Sequence, residues 1–142
     1  MTPSDPFAAF LTAYAAAVRA RDAAAFVALY DDALHVFDMW QAAPMTGLPA
    51  WRAMAEGWFG GLGDEGVVVT WRQAQSQVSG DLASGHAILT FAAQAPDGSV
   101  LRALDNRLSV AMRLGAEGWK VFHEHTSAPI EHGSLTAVLQ LP

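Results

Sequence analysis

The segment Gly118-Trp119-Lys120-Val121-Phe122-His123-Glu124-His125-Thr126-Ser127 constrains the fold more than any other part of the chain. It reads as a β-strand that opens on an aromatic residue and ends in histidines and hydroxyls. Side chains alternate faces along a strand. Trp119, Val121, His123, His125 and Ser127 are therefore expected on one side, and Lys120, Phe122, Glu124 and Thr126 on the other. The first face runs from apolar to polar, which suits a strand packed on a core at one end and open to a cavity at the other.

The rest of the chain supplies a core for such a strand. Its 142 residues are 52% hydrophobic and only 15% charged, which excludes intrinsic disorder and suits one domain. We read residues 1–142 as that domain, with a core over about 5–130 and a tail over 131–142. The net charge of −6 leaves no basic footprint for nucleic acid. With no cysteine there is neither a disulfide nor a thiolate site. No apolar run approaches the ~20 residues needed to span a bilayer, and Asp5 falls where a secretory signal would carry positive charge. The expectation is a cytoplasmic protein acting on neither nucleic acid nor membrane.

Helical signals fill the first third. Asp5-Pro6 is an N-cap followed by proline at the first helical position, and Phe7, Phe10, Leu11, Tyr14 and Val18 then recur on one helical face. Asp22 caps a second helix carrying Phe26, Leu29 and Tyr30. A strand is expected from Leu34 to about Met39. A third helix opens at Thr46-Gly47-Leu48-Pro49, presents Trp51, Met54, Trp58 and Phe59, and stops at Gly60-Gly61. Beyond it the chain reads as β: Val67–Ser79, a turn at Gly80-Asp81, Ala83–Ala93, a turn at Pro96-Asp97-Gly98, then Val100–Leu114. Gly115-Ala116-Glu117-Gly118 turns into the histidine strand. The tail from Pro129 has no period and is expected at the surface or across a partner subunit.

Three helices followed by antiparallel strands make an α+β domain. A curved antiparallel sheet wrapped on the first helix leaves a cone-shaped pocket, with Phe10, Tyr14, Trp51, Trp58, Trp71 and Trp119 as its expected walls. An apolar pocket with a few polar groups is the usual form of a small-molecule site. No Gly-x-Gly-x-x-Gly, phosphate loop or Gly-x-Ser-x-Gly is present, so no cofactor is expected.

This order of elements, closing on Trp119 through Ser127 after Arg107-Leu108-Ser109, resembles the nuclear transport factor two-like superfamily, with its cystatin-like cone. Within it the chain looks most similar to SnoaL-like proteins and to the association domain of calcium/calmodulin-dependent kinase II. The run from Tyr14 to Asp22, then Val27 to Ala33, then Val36-Phe37-Asp38, is also similar to ketosteroid isomerase. That resemblance implies that Tyr14 donates a hydrogen bond to a developing oxyanion and that Asp38 shuttles the proton. The enzyme's third residue, a protonated aspartate, matches Ser109, or a neighbour if the turn carries a gap, and no carboxyl falls there with the right facing.

Each candidate has two readings. Asp38 shares a face with Val36 and Trp40 and acts either as a general base in the pocket or as a brace for the loop through Pro44. Tyr14 is buried, with its hydroxyl on a ligand or on a protein partner. His123 and His125 could share a metal ion with Asp38 or His86, but no metal is expected. One histidine would instead line the pocket, His123 assisting Tyr14, and the other would hold the strand end near Ser127. Arg107 either selects an acidic ligand or pairs with Asp105 or Glu124. Ligand contacts are expected at Trp40, Trp58, Arg107, Ser109, Trp119 and His125. The implied protein is a homodimer holding a hydrophobic or aromatic molecule. It either binds that molecule only or acts as a cofactor-free isomerase, cyclase or dehydratase.

Overall fold

The computed structural model describes residues 5–142. Helix α1 (Pro6–Ala20) begins where the Asp5 carboxylate accepts the Phe7 amide at 2.9 Å. Helix α2 (Ala23–Val27) is capped in the same way, by Asp22 on the Ala25 amide at 3.0 Å. A carboxylate at these positions satisfies an otherwise unpaired donor and meets the positive end of the helix dipole. Strand β1 (Tyr30–Phe37) starts four residues before the expected Leu34. After the two-residue strand β2 (Met45–Thr46), α3 (Leu48–Gly60) ends at Gly61.

Four long strands follow: β3 (Gly66–Ser79), β4 (Leu82–Gln94), β5 (Val100–Gly115) and β6 (Gly118–Ser127). The six strands form one sheet in the order β2-β1-β6-β5-β4-β3. Every pairing is antiparallel except β1 with β6. The architecture is the expected α+β cone, with three helices against the inner face of a mostly antiparallel sheet. No helix among the described residues is long and apolar enough to cross a membrane.

The inner face is set by register. Ala83, Gly85, Ala87 and Leu89 of β4 lie opposite Met112, Val110, Leu108 and Asn106 of β5. All of these but Gly85 and Asn106 join Phe7, Phe10, Leu11, Tyr14 and Val18 from α1 in one buried core. Gly85 lets the helix come this close: a Cβ there would lie 2.2 Å from Cγ of Phe7, itself 1% exposed. The pairing of the long strands is irregular at three points, of which one, between Ala93 and Gln94, lies near the β4–β5 turn and two lie within the sheet. In β3, Arg72 pairs with Ile88 and Gln75 with His86, so one extra residue bulges near Gln73, whose φ is +55°.

The second irregularity is in β6. Ala111 faces His123 while the next β5 residue, Met112, faces Val121, which leaves Phe122 as an extra residue. A single added residue reverses the facing of everything beyond it. Trp119 and Val121 point to the core as expected, but beyond the bulge Glu124 and Thr126 take the inner face. His123 and His125 turn outward. Phe122 is outside too, under the Arg113 guanidinium at 4.5 Å.

Pro129–Val138 folds on itself through an Ile130–Ala137 bridge. The chain then returns to the stretch of β5 that β6 leaves unpaired. There the Asp105 amide donates to the Leu139 carbonyl at 2.7 Å, and Asp105 Oδ2 accepts from the Leu141 amide at 2.7 Å. Arg72 and Thr90 hold the same carboxylate at 3.1 and 2.6 Å. Burial alone would raise the Asp105 carboxyl, but these hydrogen bonds and the Arg72 charge hold it below its usual value.

Gly85→Ala should force Phe7 and α1 off the sheet. Overpacking of this kind costs about 1–3 kcal/mol, and thermal denaturation should show a melting temperature lower by roughly 3–10 °C.

Candidate active site

Between α1, α3 and the inner face of the sheet lies a cavity of about 560 Å³. Tyr14, Trp51, Met54, Trp58, Leu62, Val67 and Phe91 make its walls apolar, and Trp40 stands exposed at its mouth. Leu139 and Gln140 of the returning tail complete the wall. The tail carries no period and was expected at the surface or across a partner subunit; its last residues instead line this cavity, and their anchors lie on β3 and β5.

Polar groups enter from two strand ends. Asp38 follows β1 directly. Thr126 Oγ1, inward on β6, accepts the Met39 amide at 2.9 Å and donates to Asp38 Oδ1 at 3.3 Å. One threonine therefore fixes the turn out of β1 and orients the carboxylate it delivers. Glu124, two residues back on the same face of β6, is 2% exposed, and its Oε1 accepts the Tyr30 hydroxyl at 2.7 Å. Burial raises the Glu124 carboxyl to about 7; the Tyr30 hydrogen bond works against that rise and the charge of Asp38 adds to it. Near neutrality Glu124 is thus divided between acid and carboxylate.

Burial, then the charges of Glu124 and Asp38, push the Tyr14 phenol well above its usual value. It stays protonated, lines the cavity and makes no hydrogen bond to any described residue. Asn106 is 5% exposed and also lines the cavity, yet its Oδ1 has no partner. Leaving such an acceptor dry costs about 1–3 kcal/mol. At the mouth Arg102 pairs with Glu65 at 2.7 Å, so among the described residues the cavity is lined by carboxyls and no free cation.

The structure brings Tyr14, Asp38, Trp40, Trp51 and Trp58 to the cavity and leaves the other candidates outside it. His123 and His125 fall on the outer face because of the Phe122 bulge. There they pack on Phe37, with ring centroids 5.4 Å away in each case, and His123 Nδ1 lies 2.8 Å from the His35 carbonyl oxygen. Ser109 lies outside between His86 and His125. Arg107, next on that face, donates from Nε to Ser127 Oγ at 3.1 Å rather than to Asp105 or Glu124, and gives the cavity no charge. Trp119 packs on the core before the bulge, clear of the cavity. Phe10 is buried in the core, and Trp71 lies outside the lining. No group of three or more His, Asp or Glu side chains among the described residues could hold a metal ion.

Glu124 and Asn106 were missed in the sequence. Simple alternation placed Glu124 on the wrong face. Asn106 was available to it, as a polar residue between Leu104 and Leu108 at inward spacing.

The chain is thus an α+β cone around a mostly apolar cavity in which two carboxyls lie beside an unpartnered phenol. Residues 8–131 match the SnoaL-like domain, so the chain belongs to the SnoaL-like family, with a nuclear transport factor two-like fold. An NTF2-like protein of unknown function from Pseudomonas putida is 28% identical, with a TM-score of 0.82 over 96% of this chain and 93% of that one. A Xanthomonas campestris protein described as a calcium/calmodulin-dependent protein kinase II association domain is 15% identical, with a TM-score of 0.72 over 92% and 91% of the two chains. A cystatin-like protein from Caulobacter vibrioides is 15% identical, with a TM-score of 0.69 over 87% of each. The last two likenesses concern the fold alone. No curated protein matches this sequence.

The raised Glu124 carboxyl has a consequence for stability. Between its ordinary value of 4.5 and about 7, the folded chain holds a proton that the unfolded chain releases. Stability should therefore fall as pH rises through that window, by on the order of 3 kcal/mol, and level off above it. Denaturant unfolding between pH 4 and 9 should show this loss, and Glu124→Gln should flatten it.

Proposed function

We propose that this protein binds an uncharged hydrophobic small molecule and moves a proton on it without a cofactor, at a carbon next to a carbonyl. The observation that carries the reading is the convergence of Asp38, Glu124 and the unpartnered Tyr14 hydroxyl in a mostly apolar cavity. A carboxyl held beside the reacting carbon is an effective proton carrier, and a neutral phenol is a suitable donor to a developing oxyanion.

In this reading the Asp38 carboxylate, oriented by Thr126, removes the α-proton. The C–H electron pair becomes the enolate, whose oxygen accepts the Tyr14 hydrogen bond. Asp38 then returns the proton, to the same carbon as exchange or to a conjugated carbon as isomerisation. Glu124 tunes the step through charge. Protonated, it leaves Tyr14 free to stabilise an anion; ionised, it places a negative charge close enough to raise the Tyr14 phenol and opposes the oxyanion.

The test is deuterium exchange at the α-carbons of bicyclic ketones in D₂O, followed by NMR and corrected for the uncatalysed rate. Asp38→Asn should slow exchange by about 10²–10⁴, with melting temperature and ketone affinity nearly unchanged. Tyr14→Phe should cost about 10²–10³, and His123→Ala should change little. The wild-type rate should fall as pH rises through about 7, the value to which the Glu124 carboxyl is raised, and Glu124→Gln should remove that fall. Saturable binding without exchange would leave a binding protein and remove the chemistry. A loss of stability in Asp38→Asn that matches its loss of rate would make Asp38 a brace.

A further inference from the structure

Besides Trp51 Nε1, Asn106 is the buried polar group among the described residues that neither the fold nor the proton transfer uses. It sits on the inner face of β5 between Leu104 and Leu108, opposite Leu89, which is 1% exposed. Its Oδ1 caps no helix, joins no turn and meets no donor among the described residues, while the residue itself lines the cavity. A leucine there would continue the apolar row, and the carboxamide destabilises the empty protein relative to it.

We infer that Asn106 determines specificity, accepting a hydrogen bond from a hydroxyl or N–H group on an uncharged ring ligand whose reactive end lies at Asp38 and Tyr14. The second half of that statement rests on the function proposed above. The register supplies a length. Thr126, which holds Asp38, lies opposite Leu108, and two residues of strand, about 7 Å, separate Leu108 from Asn106. A bicyclic ring with polar groups at its opposite ends spans that distance. The charge supplies the rest: Asp38 and Glu124 lie inside, and Arg102 is paired with Glu65 at the mouth. An anionic ligand would meet two carboxyls and no free cation.

A site built to pair with a donor rejects a matched analogue lacking it far more strongly than an apolar wall rejects a change in shape. The probes are 2-tetralone, 6-methoxy-2-tetralone and 6-hydroxy-2-tetralone. They share a ketone and a bicyclic body, and only the last carries a donor at the far end. Dissociation constants by calorimetry should place the hydroxy compound at least tenfold below the methoxy compound in the wild type. Asn106→Leu should bring that ratio near one while raising the melting temperature of the ligand-free protein, and a residue serving only the fold would not shift the two in opposite directions. Asn106→Ala supplies the same ratio should the leucine variant fail to fold.

Equal affinity of the wild type for the hydroxy and methoxy compounds, or a ratio that survives in the variants, would overturn the assignment of Asn106. Discrimination without α-proton exchange would support the assignment and overturn only the proton-transfer reading. Exchange without discrimination would do the reverse. Failure of all three ketones to bind the wild type would overturn both.

Discussion

The chemistry available to this protein depends on one extra residue in a ten-residue strand. Phe122 interrupts the pairing of β6 with β5, and the alternation beyond it is inverted. Without that bulge the imidazoles of His123 and His125 would face the cavity, while Glu124 and Thr126 would face outward. With it, Tyr30 reaches the Glu124 carboxyl at 2.7 Å and Thr126 reaches Asp38. The bulge is held in place from outside as well: Arg113 covers the Phe122 ring, and the displaced histidines pack on Phe37.

Once Glu124 is inside, the low polarity of its surroundings sets its behaviour. Trp51, Trp58, Phe91 and Met54 exclude the water that would solvate a carboxylate, and the nearby charge of Asp38 adds to the cost. Tyr30 stabilises the ionised form but offsets only part of this. Tyr14 is pushed the opposite way from an acid ready to ionise and so keeps its proton. The site thus combines one carboxyl near half-protonation, a second held by a threonine, and a neutral phenol with no partner in the protein.

Much of the architecture was legible because local chemistry marks it. Asp5 and Asp22 announced their helices as caps, Gly80-Asp81 and Pro96-Asp97-Gly98 marked hairpins, and Tyr14, Trp51 and Trp58 fell on helical faces that had to be buried. Asp38 was legible as an inward residue for the same reason. The bulge was not, since Val121-Phe122-His123 contains no glycine, proline or other break; only the partner strand, through Ala111 and Met112, reveals that a residue is left over. The tail was hidden for a related reason: its position is fixed by Asp105 and Arg72, distant in sequence and paired with each other only after β3, β4 and β5 have assembled.

Titration of Glu124 tests the centre of this account most directly. Carbon-13 NMR of the glutamate side-chain carboxyls, with Glu124 assigned from the spectrum of Glu124→Gln, reads its protonation without reference to any substrate. A midpoint near 7, well above the ordinary 4.5, is the expected result for a carboxyl turned into the cavity by the bulge. A midpoint near 4.5 would place Glu124 in water, and would contradict both the inverted register of β6 and the site built upon it.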